Sequence, residues 1–226
     1  MSDPLGDALT DFWHGDKEAT LLVYTSYGEI EAMPASVFFR NKTQMPDIEL
    51  YMLDLCKGKI LDAGAGAGSH SLLLQERGLS VCALDISPLA VQVMHNRGVQ
   101  HAICGDIFTF THSPFDTILL AMNGVGIAKN LNQVKILLLH LKTLLKPGGQ
   151  LLLDSCDVSY LKENNVSPGY VGEVTFQFEY KGQKGEPFEW VYINIPTLKR
   201  IATRTGWQCQ IIYQEAEAYA ARLMLL

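Results

Sequence analysis

Two rhythms run along the chain. Between residues 59 and 154, short apolar runs alternate with stretches whose apolar positions recur at helical spacing. Residues 59–63 read as a strand running into glycines. Ser69 is the expected N-cap of a helix through Arg77, and Gly78 suits the position after its end. Residues 80–84 form a second strand. Ser87 then caps a second helix, Pro88 takes its first position and Gly98 closes it. Residues 101–104 and 116–121 are further strands. Residues 131–146 predict a long helix with Val134, Leu137, Leu138, Leu141 and Leu145 on one face. Pro147-Gly148-Gly149 stops it, and 150–154 is a fifth strand.

The flanks differ. Residues 1–45 are a mixed amphipathic prelude, read as an N-terminal cap or lid segment, and 46–56 predict a short helix starting near Pro46. Residues 171–180 and 188–193 look like two strands around a polar turn, a β-hairpin insertion within 170–193. A helix over 196–205 and two closing strands, 207–214 and 218–225, complete the chain. The repeated strand–helix units predict an α/β fold in one domain spanning 1–226. Its core is a doubly wound, seven-stranded, mainly parallel sheet with helices on both faces and an antiparallel last strand.

Composition narrows the picture. A length of 226 residues suits one α/β domain, and 48% apolar residues can build a core without metal or disulfides. The net charge of −6 and the absence of a basic run argue against a nucleic-acid partner. Five scattered cysteines, without a C-x-x-C pair, point to a reducing compartment, so the cytoplasm is expected. Cys82 and Cys104 read as small buried apolar side chains. The amino terminus lacks a basic signal-like region, and no apolar run approaches the roughly 20 residues that span a bilayer. No membrane contact is expected.

The chemistry concentrates in Ile60-Leu-Asp62-Ala-Gly64-Ala-Gly66-Ala-Gly68-Ser69. Three glycines alternate between a strand and a helix. Glycine tolerates positive φ and lets a ligand approach the backbone, and ligands of open α/β sheets bind at this edge. Asp85 ends the next strand, about 20 residues on, where an acidic side chain can accept from both hydroxyls of a ribose. Asp106 follows the third strand and adds a carboxylate at the same edge.

The run Asp62-x-Gly64-x-Gly66-x-Gly68 resembles the acidic-x-Gly-x-Gly-x-Gly motif of class I S-adenosylmethionine-dependent methyltransferases. The resemblance extends in element order over about 46–226 and is most specific in 58–110 and 144–154. It implies that S-adenosyl-L-methionine is the cofactor, with Gly64, Gly66 and Gly68 along its methionine and ribose portion. It implies further that Asp62 orients the loop and contacts the methionine amine. Asp85 would bind the ribose hydroxyls, Ile86 the adenine, Asp106 the adenine amino group, and Ile107 the ring. The reaction implied is in-line displacement at the sulfonium methyl, for which the protein supplies orientation and electrostatics.

The acceptor site is less legible. Residues 120–126 follow the fourth strand and lack the Asn/Asp-Pro-Pro-aromatic signature of enzymes that methylate nucleobase nitrogens. A small-molecule acceptor is therefore expected. Asn123 is a candidate for orienting it, against the plainer role of a turn residue before glycine. His70 is a second candidate, against a satisfied core histidine. Arg40 is a candidate for the methionine carboxylate or an acidic substrate, against a surface arginine. Tyr24, Tyr27, Phe38 and Phe39 read as a lid or as core. The aromatic hairpin face roofs the acceptor pocket or packs on another subunit, so monomer and homodimer both stay open. No histidine spacing suggests a metal. Two rivals remain: a nicotinamide-dependent oxidoreductase, disfavoured by the glycine spacing, and a non-catalytic cofactor-binding module.

Overall fold

In the computed structural model, which describes residues 2–28, 30–112, 114–163 and 169–226, capping chemistry sets most helix borders. Asp3 caps α1 (Pro4–Trp13), its carboxylate accepting from the Gly6 N–H. Strands β1 (Thr20–Thr25) and β2 (Ile30–Pro34) follow. The next helix, α2 (Asp47–Leu55), turns Glu49, Met52 and Leu53 inward. Two strand–helix units come next: β3 (Lys59–Ala63) with α3 (Ser69–Glu76), and β4 (Ser80–Asp85) with α4 (Pro88–Arg97). Ser87 caps α4 as expected, and Gly98 closes it in the left-handed region. Then follow β5 (Ala102–Cys104), β6 (Phe115–Leu120), α5 (Leu131–Leu141) and β7 (Leu145–Cys156). The last third holds β8 (Glu173–Tyr180), β9 (Gln183–Lys184), β10 (Phe188–Val191), α6 (Ile195–Arg204), β11 (Trp207–Glu215) and β12 (Ala218–Leu225).

Seven strands form the main sheet in the order β11-β12-β7-β6-β3-β4-β5. Strands β5, β4, β3, β6 and β7 run parallel, and β12 is antiparallel to both β7 and β11. The chain winds outward from β3 through β4 to β5, then returns to the other side of β3 as β6. That reversal opens a crevice at the carboxyl ends of β3 and β6. Helices cover both faces. Met52, Leu53, Leu73 and Leu74 of α2 and α3 pack on one, and Val134, Leu137, Leu138, Leu198 and Ala202 of α5 and α6 on the other.

Several expected borders move. Gly68, not Ser69, occupies the N-cap of α3, at φ 82°. The helix over 131–146 ends at Leu141, and one tighter turn leads into β7. Pro147-Gly148-Gly149 lies inside β7 as an irregularity, where pairing steps from Phe115 with Leu145 to Thr117 with Gln150. Cys104 is exposed, because β5 is short and lies at the sheet edge.

The prelude and the hairpin region join. Antiparallel β8 and β10 belong to a second sheet ordered β10-β8-β1-β2, with β9 paired to β8. The aromatic face of this sheet is partly covered within the chain. Tyr180 packs with Leu5, Ala8 and Phe12 of α1, and Phe176 with Val23, Trp190 and Tyr192. Two anchors tie it to the main sheet. Near α4, Asp3 accepts from the Ser87 hydroxyl at 2.5 Å. After β6, the Trp190 ring lies against Gly126.

Candidate functional site

The glycine loop leaves β3 at the switch point. Gly64 and Gly66 hold φ of 78° and 55°, values that L side chains rarely adopt. The N–H groups of Gly64 and Ala65 donate to the Leu84 carbonyl at 2.8 and 3.1 Å. The Gly66 N–H donates to Asp85 Oδ2 at 2.8 Å, and the Ser87 N–H to Asp85 Oδ1 at 2.9 Å. Asp85 thus ties the loop to the start of α4. Burial raises its pKa, with these backbone donors acting the other way. Each oxygen keeps further acceptor capacity.

The three glycines are not equivalent. A Cβ on Gly64 would stand 3.0 Å from Ile127, and one on Gly66 3.3 Å from Phe38. A Cβ on Gly68 would meet Val99 at 2.8 Å and Met94 at 2.9 Å. The space beside Gly68 thus serves the packing of α3 against α4. Asp62 is 2% exposed and accepts from the Ser71 hydroxyl at 2.6 Å. It braces the loop on α3, and burial raises its pKa.

Along the β4–β5 edge, Ile86 is 71% exposed beside Asp85. Asp106 is exposed, with Oδ1 accepting from the Phe108 N–H at 2.9 Å. That turn carries Ile107 into the core, at 5% exposure.

Two expected pocket residues are held by a third. Arg40 Nη2 donates to both Glu49 oxygens, at 2.7 and 2.9 Å, and His70 Nε2 lies 2.7 Å from Glu49 Oε2. Glu49 and His70 are buried. Burial opposes the charged ring of His70, but Glu49 and Asp62 outweigh it and raise its pKa. Burial likewise opposes the charged Glu49, and His70 and Arg40 outweigh it and lower its pKa. Of the two roles weighed for His70, the ion pair with Glu49 matches the satisfied core histidine, and Arg40 is likewise engaged by Glu49. The cause is Glu49, an acid on the inner face of α2, aligned with Met52 and Leu53.

Asn123 is also engaged. At φ 55° its N–H donates to Asp154 Oδ1 at 2.8 Å, and its Oδ1 accepts from the Ser155 hydroxyl at 2.7 Å. Ser155 in turn accepts from the Ile193 N–H at 3.0 Å. Asn123 thus joins the ends of β6 and β7 to the approach to α6, the turn role weighed for it. Asp154 and Glu49 escape the sequence reading. The available signal was an acid on an otherwise apolar face.

Of the four aromatics read as a lid, Phe38 meets the glycine loop. Phe39 packs against Phe12 in a tilted pair at 4.5 Å, while the Tyr24 hydroxyl bonds to Glu179 and that of Tyr27 to Glu31. Arg97 of α4 fastens the Phe38 segment. Its Nη1 donates to the Ala67 carbonyl at 2.5 Å and the Phe38 carbonyl at 3.4 Å. Burial lowers its pKa to about 10.

A glycine loop at the switch point of a doubly wound sheet, with a carboxylate ending the next strand, defines a protein built to bind a nucleoside cofactor. Comparison with known proteins gives the family. A family model described as a methyltransferase domain matches residues 61–153. The chain is 39% identical to an S-adenosylmethionine-dependent methyltransferase from Bacteroides fragilis, crystallised with S-adenosyl-L-homocysteine. The TM-score is 0.90, covering 99% of this chain and 94% of that one. It is 30% identical over 125 residues to demethylmenaquinone methyltransferase of Tropheryma whipplei, covering 53% of this chain and 49% of that protein. It is 31% identical over 102 residues to cypemycin N-terminal methyltransferase of a Streptomyces species, covering 43% of this chain and 42% of that protein. The chain spans about half the length or less of these curated relatives. It belongs to the class I S-adenosylmethionine-dependent methyltransferases, whose cofactor is S-adenosyl-L-methionine. Among the described residues, no helix is long and apolar enough to cross a membrane.

Proposed function

We propose that this chain transfers a methyl group from S-adenosyl-L-methionine to a small-molecule acceptor, leaving S-adenosyl-L-homocysteine. One observation carries the reading. Asp85 fixes the glycine loop through the Gly66 N–H while the apolar Ile86 beside it stands 71% exposed. A loop without side chains, a carboxylate and an uncovered apolar residue suit the methionine, ribose and adenine portions of this cofactor. Gly64 and Gly66 would hold the methionine end, with Asp62 bracing them from below. Asp85 would accept from the ribose hydroxyls, and Ile86 and Asp106 would take the adenine. Gly68 and Ile107 would act beneath these contacts, through packing.

The cofactor, when bound, supplies an electrophilic methyl on a sulfonium. The chain's own contribution is position. Holding two reactants in line is worth up to about 7–11 kcal/mol of barrier. The second sheet, anchored at α4 and after β6, is the cover under which an acceptor would be held. We read residues 1–45 and 170–193 as parts of one catalytic unit with the main sheet. Support for a small acceptor comes from the net charge of −6 and from a relative named for demethylmenaquinone. Five free cysteines suit a reducing compartment, and we place the enzyme in the cytoplasm as a monomer or homodimer.

Calorimetry with S-adenosyl-L-homocysteine, with NAD as comparator and Asp85→Ala as control, tests the reading. Micromolar-range binding lost in the variant and absent for NAD is expected. NAD binding without a response to the homocysteine compound would refute it.

A further inference from the structure

Asp154 ends the apolar run of β7 on the face shared with Leu152 and Ala220, which α2 and α3 cover. It lies one residue beyond the Leu120–Leu153 pair, at the carboxyl edge that holds the crevice. Its carboxylate is partly buried, and Oδ1 is fixed by the Asn123 N–H at 2.8 Å. No basic side chain forms an ion pair with it among the described residues. The neighbouring acids are engaged: Glu49 holds Arg40 and His70, and Asp157 accepts from the N–H and hydroxyl of Ser159. Asp154 is thus a carboxylate fixed by the Asn123 N–H at the edge where an acceptor would lie, with no ion-pair partner among the described residues.

We propose that Asp154 is the catalytic carboxylate of the transfer and that the acceptor is an amine; this rests on the function proposed above. The acceptor N–H donates to Asp154. As the nitrogen lone pair bonds to the methyl carbon, the carbon–sulfur bond breaks and its electron pair stays on sulfur. Positive charge gathers on nitrogen, the carboxylate offsets it, and the N–H proton passes to Asp154 and on to solvent. A fixed anion aimed at developing charge needs no reorganisation during the reaction. Asn123 acts through Asp154 and is a positioning residue.

The charge state of Asp154 follows from its surroundings. Burial raises its pKa to about 6, the Asn123 N–H acts downward, Glu49 from α2 upward and His70 from α3 downward. Tyr219 of β12 and Cys156 of β7 also interact with it. It is a stronger base than an ordinary carboxylate, yet largely ionised at neutral pH.

Sinefungin tests this without a known acceptor. It is a cofactor analogue that carries an amine where the methyl sulfonium would be, so an ammonium probes the point of transfer. Its affinity and that of S-adenosyl-L-homocysteine are measured by calorimetry from about pH 5 to 8. In the wild type, preference for sinefungin should grow as pH rises through about 6. In Asp154→Asn, which still accepts from the Asn123 N–H, the preference should fall at least about tenfold and lose its pH dependence, with homocysteine binding unchanged. A pH-independent preference in the wild type would overturn the proposal. Equal weakening of both ligands in the variant would overturn it too, in favour of a structural role. Failure of the wild type to bind either ligand would overturn the function on which it rests.

Discussion

His70 Nε2 lies 2.7 Å from Glu49 Oε2, and the same carboxylate receives the Arg40 guanidinium through both of its oxygens. One buried acid therefore fastens the segment after β2, α2 and the first turn of α3 behind the glycine loop. The raised pKa of His70 contributes stability that is complete below its ordinary value of 6.5 and is lost as pH rises through the folded value. The lowered pKa of Glu49 contributes stability that is complete above its ordinary value of 4.5 and is lost as pH falls through the folded value. Both contributions are complete between those two ordinary values. Urea unfolding should show His70→Gln costing most in that window and less as pH rises beyond it. Glu49→Ala, which removes the ion-pair partner of both Arg40 and His70, should cost about 3 kcal/mol at neutral pH. A pH-independent cost for His70→Gln would mean that the ring is neutral in the folded protein.

The glycine triplet separates binding from packing. Gly68→Ala places a methyl 2.8 Å from Val99 and 2.9 Å from Met94, at a φ of 82°. It should cost about 2–4 kcal/mol of stability, the sum of overpacking and backbone strain. Gly66→Ala meets only Phe38, at 3.3 Å, and carries the strain of φ 55°. It should cost about 1–2 kcal/mol of stability while weakening homocysteine-product binding more than tenfold. Paired unfolding and calorimetry on the two variants decide the matter. Similar profiles would deny the division of labour.

Periodicity made the main sheet legible because each strand and helix carries its own pattern, and β3, the glycine loop and Asp85 fall within 27 residues. The second sheet was half legible. The hairpin shows in alternating aromatics, but β1 and β8 pair Tyr24 with Gln177, a contact that no local pattern announces. Arg40 and His70 stayed open between a pocket role and a structural one because an isolated basic side chain does not reveal its partner. That partner, Glu49, lies on the buried face of α2. Asp154 read as the last residue of a strand. Its importance comes from the turn after β6, which carries the Asn123 N–H to it.

Trp190 and Gly126 form the joint between the two sheets. A Cβ on Gly126 would stand 1.9 Å from Trp190 Nε1, so the ring occupies the space a side chain would need. Gly126→Ala should destabilise the protein by about 1–3 kcal/mol through overpacking and shift the Trp190 fluorescence. In a Trp190→Ala background the same substitution should be nearly neutral, giving a coupling energy of at least about 1 kcal/mol. Additive costs would show that the second sheet is not seated by this contact.

Arg97 links the glycine loop to the segment above it. Its Nη1 donates to the Ala67 carbonyl at 2.5 Å and lies 3.1 Å from Ser69 Oγ, which itself donates to the Phe38 carbonyl at 2.7 Å. The guanidinium also stands 4.7 Å over the Phe39 ring. Lysine would keep the charge but lose both the planar fork and the stacking. Arg97→Ala should therefore cost about 2 kcal/mol. It should also speed amide hydrogen exchange across residues 35–40 more than in α5. Arg97→Lys should recover part of the stability and little of the protection. Because Phe38 rests on Gly66, loosening this segment should also lower affinity for S-adenosyl-L-homocysteine, although Arg97 is assigned no contact with it. Unchanged exchange in 35–40 alongside lost stability would reduce Arg97 to a packing residue of α4 and leave the Phe38 segment held by Ser69 alone.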